Sequence, residues 1–316
     1  MKADNRTPAA ILAGGILLAG LVPLVLYPVW FGTGGNAGEL GAVAFRATSV
    51  FEQWMLLLTA VAVKPAYILI TTLLVIWLWR QQAPDLVALR RGLIAFWLGE
   101  NACTINFLLY QGNCELWEYL HNFGMVVSFS FITYALLEGL DRRLLKYSAA
   151  QDRCAALSLC RACIKYEDVP CGLRRAFNVF IPATMVLALM PFCARIENVA
   201  YDTSVIGRIQ HFMQSIPRQL FELRYCPVLA LALLGAAWFV LVFKKPDPVP
   251  LAKALFAAGL GPLGFGMMRL FLFAAYRDDL AWFMAWEELT EFLFIVAVAF
   301  VLFIFRQSLL PRRAVA

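Results

Sequence analysis

Long apolar runs separated by short polar segments make up most of this chain. A helix needs about 20 mainly apolar residues to cross roughly 30 Å of hydrocarbon, and several of these runs are that long. The runs lack the alternation of barrel strands, and a helix satisfies its own backbone groups inside lipid. We therefore predict an all-α, polytopic membrane protein with eight transmembrane helices, at 8–31, 53–79, 91–111, 115–140, 176–194, 226–243, 253–276 and 280–305.

Connections and helix breakers refine this pattern. Residues 111–114 and 277–279 are such short connections that the helices on either side are predicted to form tight antiparallel hairpins. Pro65 lies inside the second run and should kink this helix. The glycine-rich stretch 259–266 allows either a helix irregularity beside a binding site or close helix packing. The first run is too long for a cleaved signal peptide and is predicted to be an anchor.

Composition supports the membrane assignment. The chain is 62% apolar and 15% charged, whereas soluble domains average about 45–50% and about 25%. These values exclude a disordered chain, a nucleic-acid-binding module and a coiled coil. We treat residues 1–316 as a single integral membrane domain whose first partner is the lipid bilayer.

The distribution of basic residues predicts the orientation. With the N-terminus inside, 19 of the 27 Lys and Arg residues fall in cytoplasmic segments and six in outer loops. By the positive-inside rule, both termini are cytoplasmic. We expect a bacterial inner membrane, with the excess of six positive charges facing anionic lipid.

One outer and one cytoplasmic segment are long enough to matter. In the outer segment, 195–225, five apolar residues recur at near-helical spacing, which predicts an amphipathic helix on the membrane surface: Ile206, Ile209, Met213, Ile216 and Leu220. The cytoplasmic segment, 141–175, contains Cys154, Cys160, Cys163 and Cys171. Four thiols in a reducing compartment favour a zinc site or an iron–sulfur cluster. The alternative is four unrelated thiols on an amphipathic helix.

The other four cysteines are predicted to lie towards the outer side. Cys193 and Cys226 flank the 195–225 segment, so we expect a disulfide between them, with Cys114 as an alternative partner for either. Cys103 lies within the third predicted span and is expected to be a packed thiol.

Ionisable residues within the spans are the candidate functional residues, because burying a charge in lipid is costly. The acid–base candidates are Glu100, Glu118, His121, Glu288 and Glu291, and the candidate cofactor-binding residues are Lys64, Arg269 and His211. Glu138 is expected to be solvated at a helix end. Three interpretations remain open: a transition-metal site using the Glu118-x-x-His121 pattern, a proton or quinol site, and ion pairs that only hold the bundle together.

Three functions follow from these patterns. The leading hypothesis is a membrane-integral redox protein with a cytoplasmic cysteine-ligated centre and an acidic quinone or metal site in the outer half. The first alternative is a proton- or cation-coupled transporter. The second is a non-catalytic subunit of a larger membrane complex, with other membrane or redox subunits as partners.

Overall fold

The computed structural model describes residues 44–110, 112, 114–145, 172–243 and 248–306. This part of the chain is mostly helical, as predicted, and six helices are long and apolar enough to cross a membrane. They are Val50–Leu78, Pro84–Tyr110, Glu115–Arg143, Ala176–Cys193, Ile216–Phe243 and Val249–Tyr276. The predicted first span, 8–31, and the cysteines at 154, 160, 163 and 171 lie outside the described residues.

The regular elements are numbered here along the chain. The helices are α1 (Val50–Leu58), α2 (Lys64–Leu78), α3 (Pro84–Tyr110), α4 (Glu115–Gly139), α5 (Gly172–Leu187), α6 (Ile216–Leu220), α7 (Cys226–Phe243), α8 (Val249–Tyr276) and α9 (Leu280–Ile304). The strands are β1 (Ala44–Phe45), β2 (Val199–Val205) and β3 (Arg208–Gln214). The last predicted span, 280–305, corresponds to α9, a 25-residue helix. Three glutamates near its middle distinguish α9 from the six apolar helices.

Large apolar side chains cover the outer surfaces of the helices. On α1, Val50, Phe51, Trp54 and Leu58 are 52–72% exposed. So many exposed apolar side chains would be unfavourable in contact with water. Contact with lipid chains, which are equally apolar, avoids this cost. The helix exteriors therefore support an integral membrane protein.

A π-helical turn precedes Pro65, the position of the predicted kink. Residues Thr59–Val63 form this turn between α1 and α2, and Pro65 lies in the first turn of α2. Proline has no N–H to donate to the preceding turn, and π turns are frequent at functional sites. Here the turn comes directly before Lys64, one of the candidate residues.

Close glycine contacts join the central helices. A Cβ atom on Gly124 of α4 would lie 2.7 Å from the Gly99 Cα of α3, so the two backbones approach closely in the predicted 111–114 hairpin. A Cβ on Gly261 of α8 would overlap the Ser130 hydroxyl of α4. The glycine-rich stretch 259–266 is helical throughout. Gly259, Gly261 and Gly266 therefore serve close helix packing, whereas a Cβ on Gly264 would meet only Phe129, at 3.8 Å.

Residues 199–214 form a β-hairpin, so the predicted amphipathic helix over 195–225 is wrong for this part. Strands β2 and β3 pair antiparallel from Val199↔Gln214 to Val205↔Arg208, and β1 adds to β2 in parallel. The turn residues Ile206 and Gly207 have φ values of 51° and 73°. Two positive φ values are the conformation of tight hairpin turns. The helix begins only at Ile216, where the Ser215 side chain accepts from the Arg218 N–H.

A cluster of paired charged residues lies at the end of the bundle opposite the hairpin. Lys253 of α8 contacts Glu138 at 2.5 Å and Asp141 at 2.7 Å, and all three are at most 4% exposed. Arg143 pairs with Asp85 at 2.6 Å. The prediction that Glu138 is solvated is wrong, because the first turns of α8 carry Lys253 onto the end of α4.

Candidate functional site

The candidate residues of four helices converge between α2, α3, α4 and α9. Lys64 and Tyr67 come from the first turn of α2, Glu100 from α3, and His121 from α4. Helix α9 contributes Glu287, Glu288 and Glu291. Glu100 is 0% exposed, and His121 and Glu291 are each 2% exposed. The structure thus brings four of the five predicted acid–base residues into one cluster with Lys64.

The Tyr67 hydroxyl is at the centre of this cluster. It lies 2.5 Å from Glu100 Oε2, 2.6 Å from Glu288 Oε2 and 3.1 Å from Glu291 Oε2. A phenol has one hydrogen to donate, so it can donate to only one of these carboxylates. The other two contacts become hydrogen bonds only if a carboxyl group carries a proton. The geometry therefore calls for at least one shared proton.

Lys64 supplies the positive charge of the cluster. Its Nζ lies 2.7 Å from Glu100 Oε2, 2.8 Å from Glu288 Oε1 and 3.0 Å from the Tyr67 hydroxyl. These contacts occupy all three ammonium hydrogens. The Cys103 thiol packs 3.5 Å from the same nitrogen, which agrees with the expected packed thiol.

His121 connects this cluster to a second ion-pair network. Its Nδ1 lies 3.3 Å from Glu100 Oε1, and its Nε2 lies 3.7 Å from Glu287 Oε1. Glu287 also pairs with Arg269 of α8 at 2.5 Å, and the Arg269 Nε lies 3.2 Å from Glu222. The imidazole therefore lies between two carboxylates, where it is able to exchange a proton with either.

The network contains more acids than bases. Five carboxylates, three of them buried and two partly buried, face two permanent cations, Lys64 and Arg269, and a protonated His121 would add a third. The carboxylates are Glu100, Glu222, Glu287, Glu288 and Glu291. Within the described chain, Glu100 Oε1, Glu222 Oε2 and Glu291 Oε1 have no hydrogen-bond partner. Because an uncompensated buried charge is costly, the excess favours bound protons or another cation.

An outer cavity of about 100 Å³ opens beside this network under the β-hairpin. Its lining includes His121, Glu287 and Glu288, and His211 of β3. At about 30 Å³ per water molecule, it has room for a few waters. Water in this cavity would be in direct contact with the α9 glutamates.

The hairpin is held over the outer cavity by specific contacts. His211 Nδ1 lies 2.8 Å from Asp202 Oδ1 across the two strands. The buried hydroxyl of Tyr201 accepts a hydrogen bond from the Ala281 N–H at 2.9 Å. Burial raises the pKa of Tyr201 above its ordinary value, so the phenol stays neutral. The first contact joins β2 to β3, and the second fixes the hairpin against the start of α9.

Glu118 lies at the edge of the cluster and not at its centre. It lines the outer cavity, accepts from the Asn106 amide at 3.2 Å, and lies 3.9 Å from Arg218 Nη1. Arg218 itself pairs with Glu115 at 3.3 Å. Glu118 and His121 both line the outer cavity, but Glu118 contacts Asn106 and Arg218, whereas His121 contacts Glu100 and Glu287.

A lateral cavity of about 320 Å³ lies on the other side of Glu291, between α4, α8 and α9. It is open towards the side of the bundle, and its wall is mainly apolar. The lining residues are Phe129, Ile132, Thr133, Leu260, Gly264, Met268, Thr290, Glu291 and Phe294. This volume falls within the range of small-molecule sites, which begins at roughly 300 Å³.

One group of ligand atoms has the spacing that a metal ion requires. Glu100, His121 and Glu291 each offer an atom within 4.8 Å of the others. The Lys64 ammonium already lies 2.7 Å from Glu100, and a metal ion placed there would be repelled by it. The described geometry favours a proton over a metal ion as the balancing charge.

The predicted disulfide between Cys193 and Cys226 is wrong. Both thiols are free, as is Cys114, and Cys193 is exposed whereas Cys226 is buried. Cys226 packs into the central core at the start of α7. A buried thiol in the core and an exposed one at the surface form no disulfide here.

Besides Glu287, which lies one turn before the candidate Glu291, three members of the network are not among the residues predicted from the sequence. Tyr67 follows Lys64 by three residues on a helix, and this spacing, which places both on one face, is a signal that could have indicated it. Glu222 was assigned to an outer loop, but it is 0% exposed beside Arg269 and Asn122. Asn122 follows His121 directly and gave no pattern of its own.

Comparisons with models of protein families, with curated proteins and with solved structures found no match.

Proposed function

We propose that this integral membrane protein transfers protons between the outer cavity and the lateral cavity, through Glu288, Tyr67 and Glu291. One observation carries the proposal. Glu288 lines the outer cavity, Glu291 lines the lateral cavity, and the Tyr67 hydroxyl lies within 3.1 Å of both carboxylates. A hydroxyl that donates on one side while it accepts on the other is able to pass a proton.

The excess of acids supports this proposal over purely structural ion pairs. Matched pairs would need one base for each acid, whereas this network has five carboxylates for Lys64, Arg269 and His121. Ionisable groups buried within membrane spans are functional candidates by default. Protonated carboxyls held beside water are the groups from which proton relays are built.

The relay fits the leading hypothesis of a redox protein in a bacterial inner membrane. Quinone chemistry takes up or releases protons, and the lateral cavity has the size and apolar wall that a lipid-soluble molecule needs. Proton-coupled transport is the alternative, since it would use the same relay for a different cargo. The cysteine-ligated centre remains a prediction for the 141–175 segment.

Infrared spectroscopy of the full-length protein in lipid tests the relay. The C=O stretch of protonated carboxyl groups is recorded in wild type, and the signal missing from Glu291→Gln is assigned to Glu291. Transfer to D₂O then shifts this band as the proton is exchanged. We expect Tyr67→Phe to slow the exchange at Glu291 at least tenfold, because proton transfer by a positioned group contributes about 10²-fold or more.

The control is Tyr134→Phe, which removes a phenol from a buried tyrosine of α4 outside the relay. This variant should exchange at the wild-type rate. If Glu291→Gln removes no carboxyl band at any pH, or Tyr67→Phe exchanges as fast as wild type, the cluster is structural and the proposal is wrong.

Metal content and a visible absorption spectrum of protein purified under anaerobic conditions distinguish the two activities. Iron together with sulfide-type absorption would support the redox hypothesis. Zinc alone would support a structural cysteine site in a transporter. Protein without metal would contradict the predicted redox centre and leave the relay proposal standing.

A further inference from the structure

Glu291 lines the lateral cavity, and one of its carboxylate oxygens has no partner among the described residues. Glu291 is 2% exposed, and its Oε2 lies 3.1 Å from the Tyr67 hydroxyl. Its Oε1 has no hydrogen-bond partner among the described residues. Leaving a buried acceptor without a hydrogen bond is unfavourable. A cavity that contains such a group is suited to a ligand with a polar head.

The rest of the wall suits an aromatic ring with an apolar tail. Phe129 and Phe294 pack edge to face with their ring centroids 5.1 Å apart, and aromatic neighbours favour another ring in offset or edge contact. Gly264 contributes no side chain, and a Cβ there would meet only Phe129 at 3.8 Å. The cavity is therefore open at Gly264, in the middle of α8, where the bundle would face lipid.

We infer that the lateral cavity binds a membrane-soluble quinone or quinol, with an oxygen of its ring hydrogen-bonded to the Glu291 carboxyl group. A quinol hydroxyl donates to the ionised carboxylate, and a protonated Glu291 donates to a quinone carbonyl. Both forms of this ligand class therefore find a partner at the same carboxyl group. The inference rests on the proposed relay, since Glu291 is the end of the relay that meets the ligand.

Binding is measured with a short-chain benzoquinone and its reduced quinol, added to the purified full-length protein in lipid nanodiscs. Wild type should bind both saturably at one site per chain. We expect Gly264→Leu to weaken both at least tenfold, because the new side chain fills the cavity. Glu291→Gln should weaken the quinol more than the quinone, since an amide still donates to a carbonyl.

Gly235→Leu is the matched control. Gly235 lies on α7, and a Cβ there meets only the Met185 side chain at 3.9 Å, so the same change is made away from the cavity. This variant should bind as wild type does. A hydrocarbon of the same chain length, without the ring, should not compete.

Two results would overturn the inference. One is equal binding by wild type and Gly264→Leu. The other is competition by the plain hydrocarbon as strong as by the quinol, which would identify the cavity as an acyl-chain site. If Tyr67→Phe slows proton exchange at Glu291 as expected but wild type binds no quinone, the ligand is rejected and the relay is retained.

Discussion

Glycine residues on α8 differ in how much space surrounds them. At Gly261 an added methyl group would overlap the Ser130 hydroxyl and lie 2.5 Å from the Val126 carbonyl oxygen. At Gly264, one turn further on, the same group would meet a single atom at ordinary contact distance. The sequence of the 259–266 stretch alone does not show which of these two glycines is tightly packed.

We predict that Gly261→Ala destabilises the protein by about 1–3 kcal/mol, the range observed for overpacked cores. Backbone and side chain of α4 both block the new group, so the helices must separate. Unfolding in detergent, followed by circular dichroism, measures the loss. Gly264→Ala is the control and should unfold near the wild-type midpoint; equal stability of the two variants would contradict the close contact between α4 and α8.

The candidate site shows how far residue-level inference extends. Lys64, Glu100, His121, Glu288 and Glu291 were selected because charges within apolar runs are costly, and the structure brings them together. The sequence could not supply the contact partners, because Tyr67 on α2 and Glu291 on α9 are separated by more than two hundred residues. The central position of Tyr67 depends on packing alone.

At the scale of elements, the helices were predictable and the hairpin was not. Helices α2 to α5 and α7 to α9 overlap the predicted spans because a long apolar run permits little else in lipid. In the 195–225 segment, apolar residues at spacings of three and four were read as helical. In the structure only Ile209 and Met213 of this set lie in a strand, and the side chains that face the core beneath the hairpin are those of Tyr201 and Phe212.

The turn of the hairpin gives a prediction for this element. Ile206 has a φ of 51°, a conformation that β-branched residues rarely adopt and that Asn adopts readily. We expect Ile206→Asn to raise stability by about 1 kcal/mol, the lower end of the cost of such strain. The thermal unfolding midpoint should therefore rise. A midpoint at or below that of wild type would show that the Ile206 conformation is unstrained.

At the scale of the whole molecule, two polar regions occupy opposite ends of an apolar bundle. Lys253, Glu138 and Asp141 join α8 to the end of α4, and the hairpin closes the other end over the relay. The predicted orientation places the hairpin outside and the Lys253 cluster at the cytoplasmic face. The relay would then exchange protons with the outer compartment.

Thiol labelling tests this orientation. Cys193 is free and exposed, whereas Cys226 is buried, so a membrane-impermeant maleimide should label Cys193 from outside intact cells. Cys160 and Cys163 should be labelled only after the cells are permeabilised. Because Cys114 is also free and partly exposed, the labelling is done in a Cys114→Ser background, where the further change Cys193→Ser is the control and should remove the external label. External labelling of Cys160 or Cys163 would reverse the predicted topology.

The sequence by itself determined the class of this protein and most of its helices. Exposing backbone groups or charges to lipid is costly, and this cost acts within each span, so every span appears in the sequence as a long apolar run. It also selected most of the buried ionisable residues for the same reason. Only the tertiary structure decided that residues 199–214 form a hairpin, that Glu138 is paired, and that Tyr67 lies between the two cavities. Those features depend on contacts between distant segments, whose energies are set by packing and not by any local pattern.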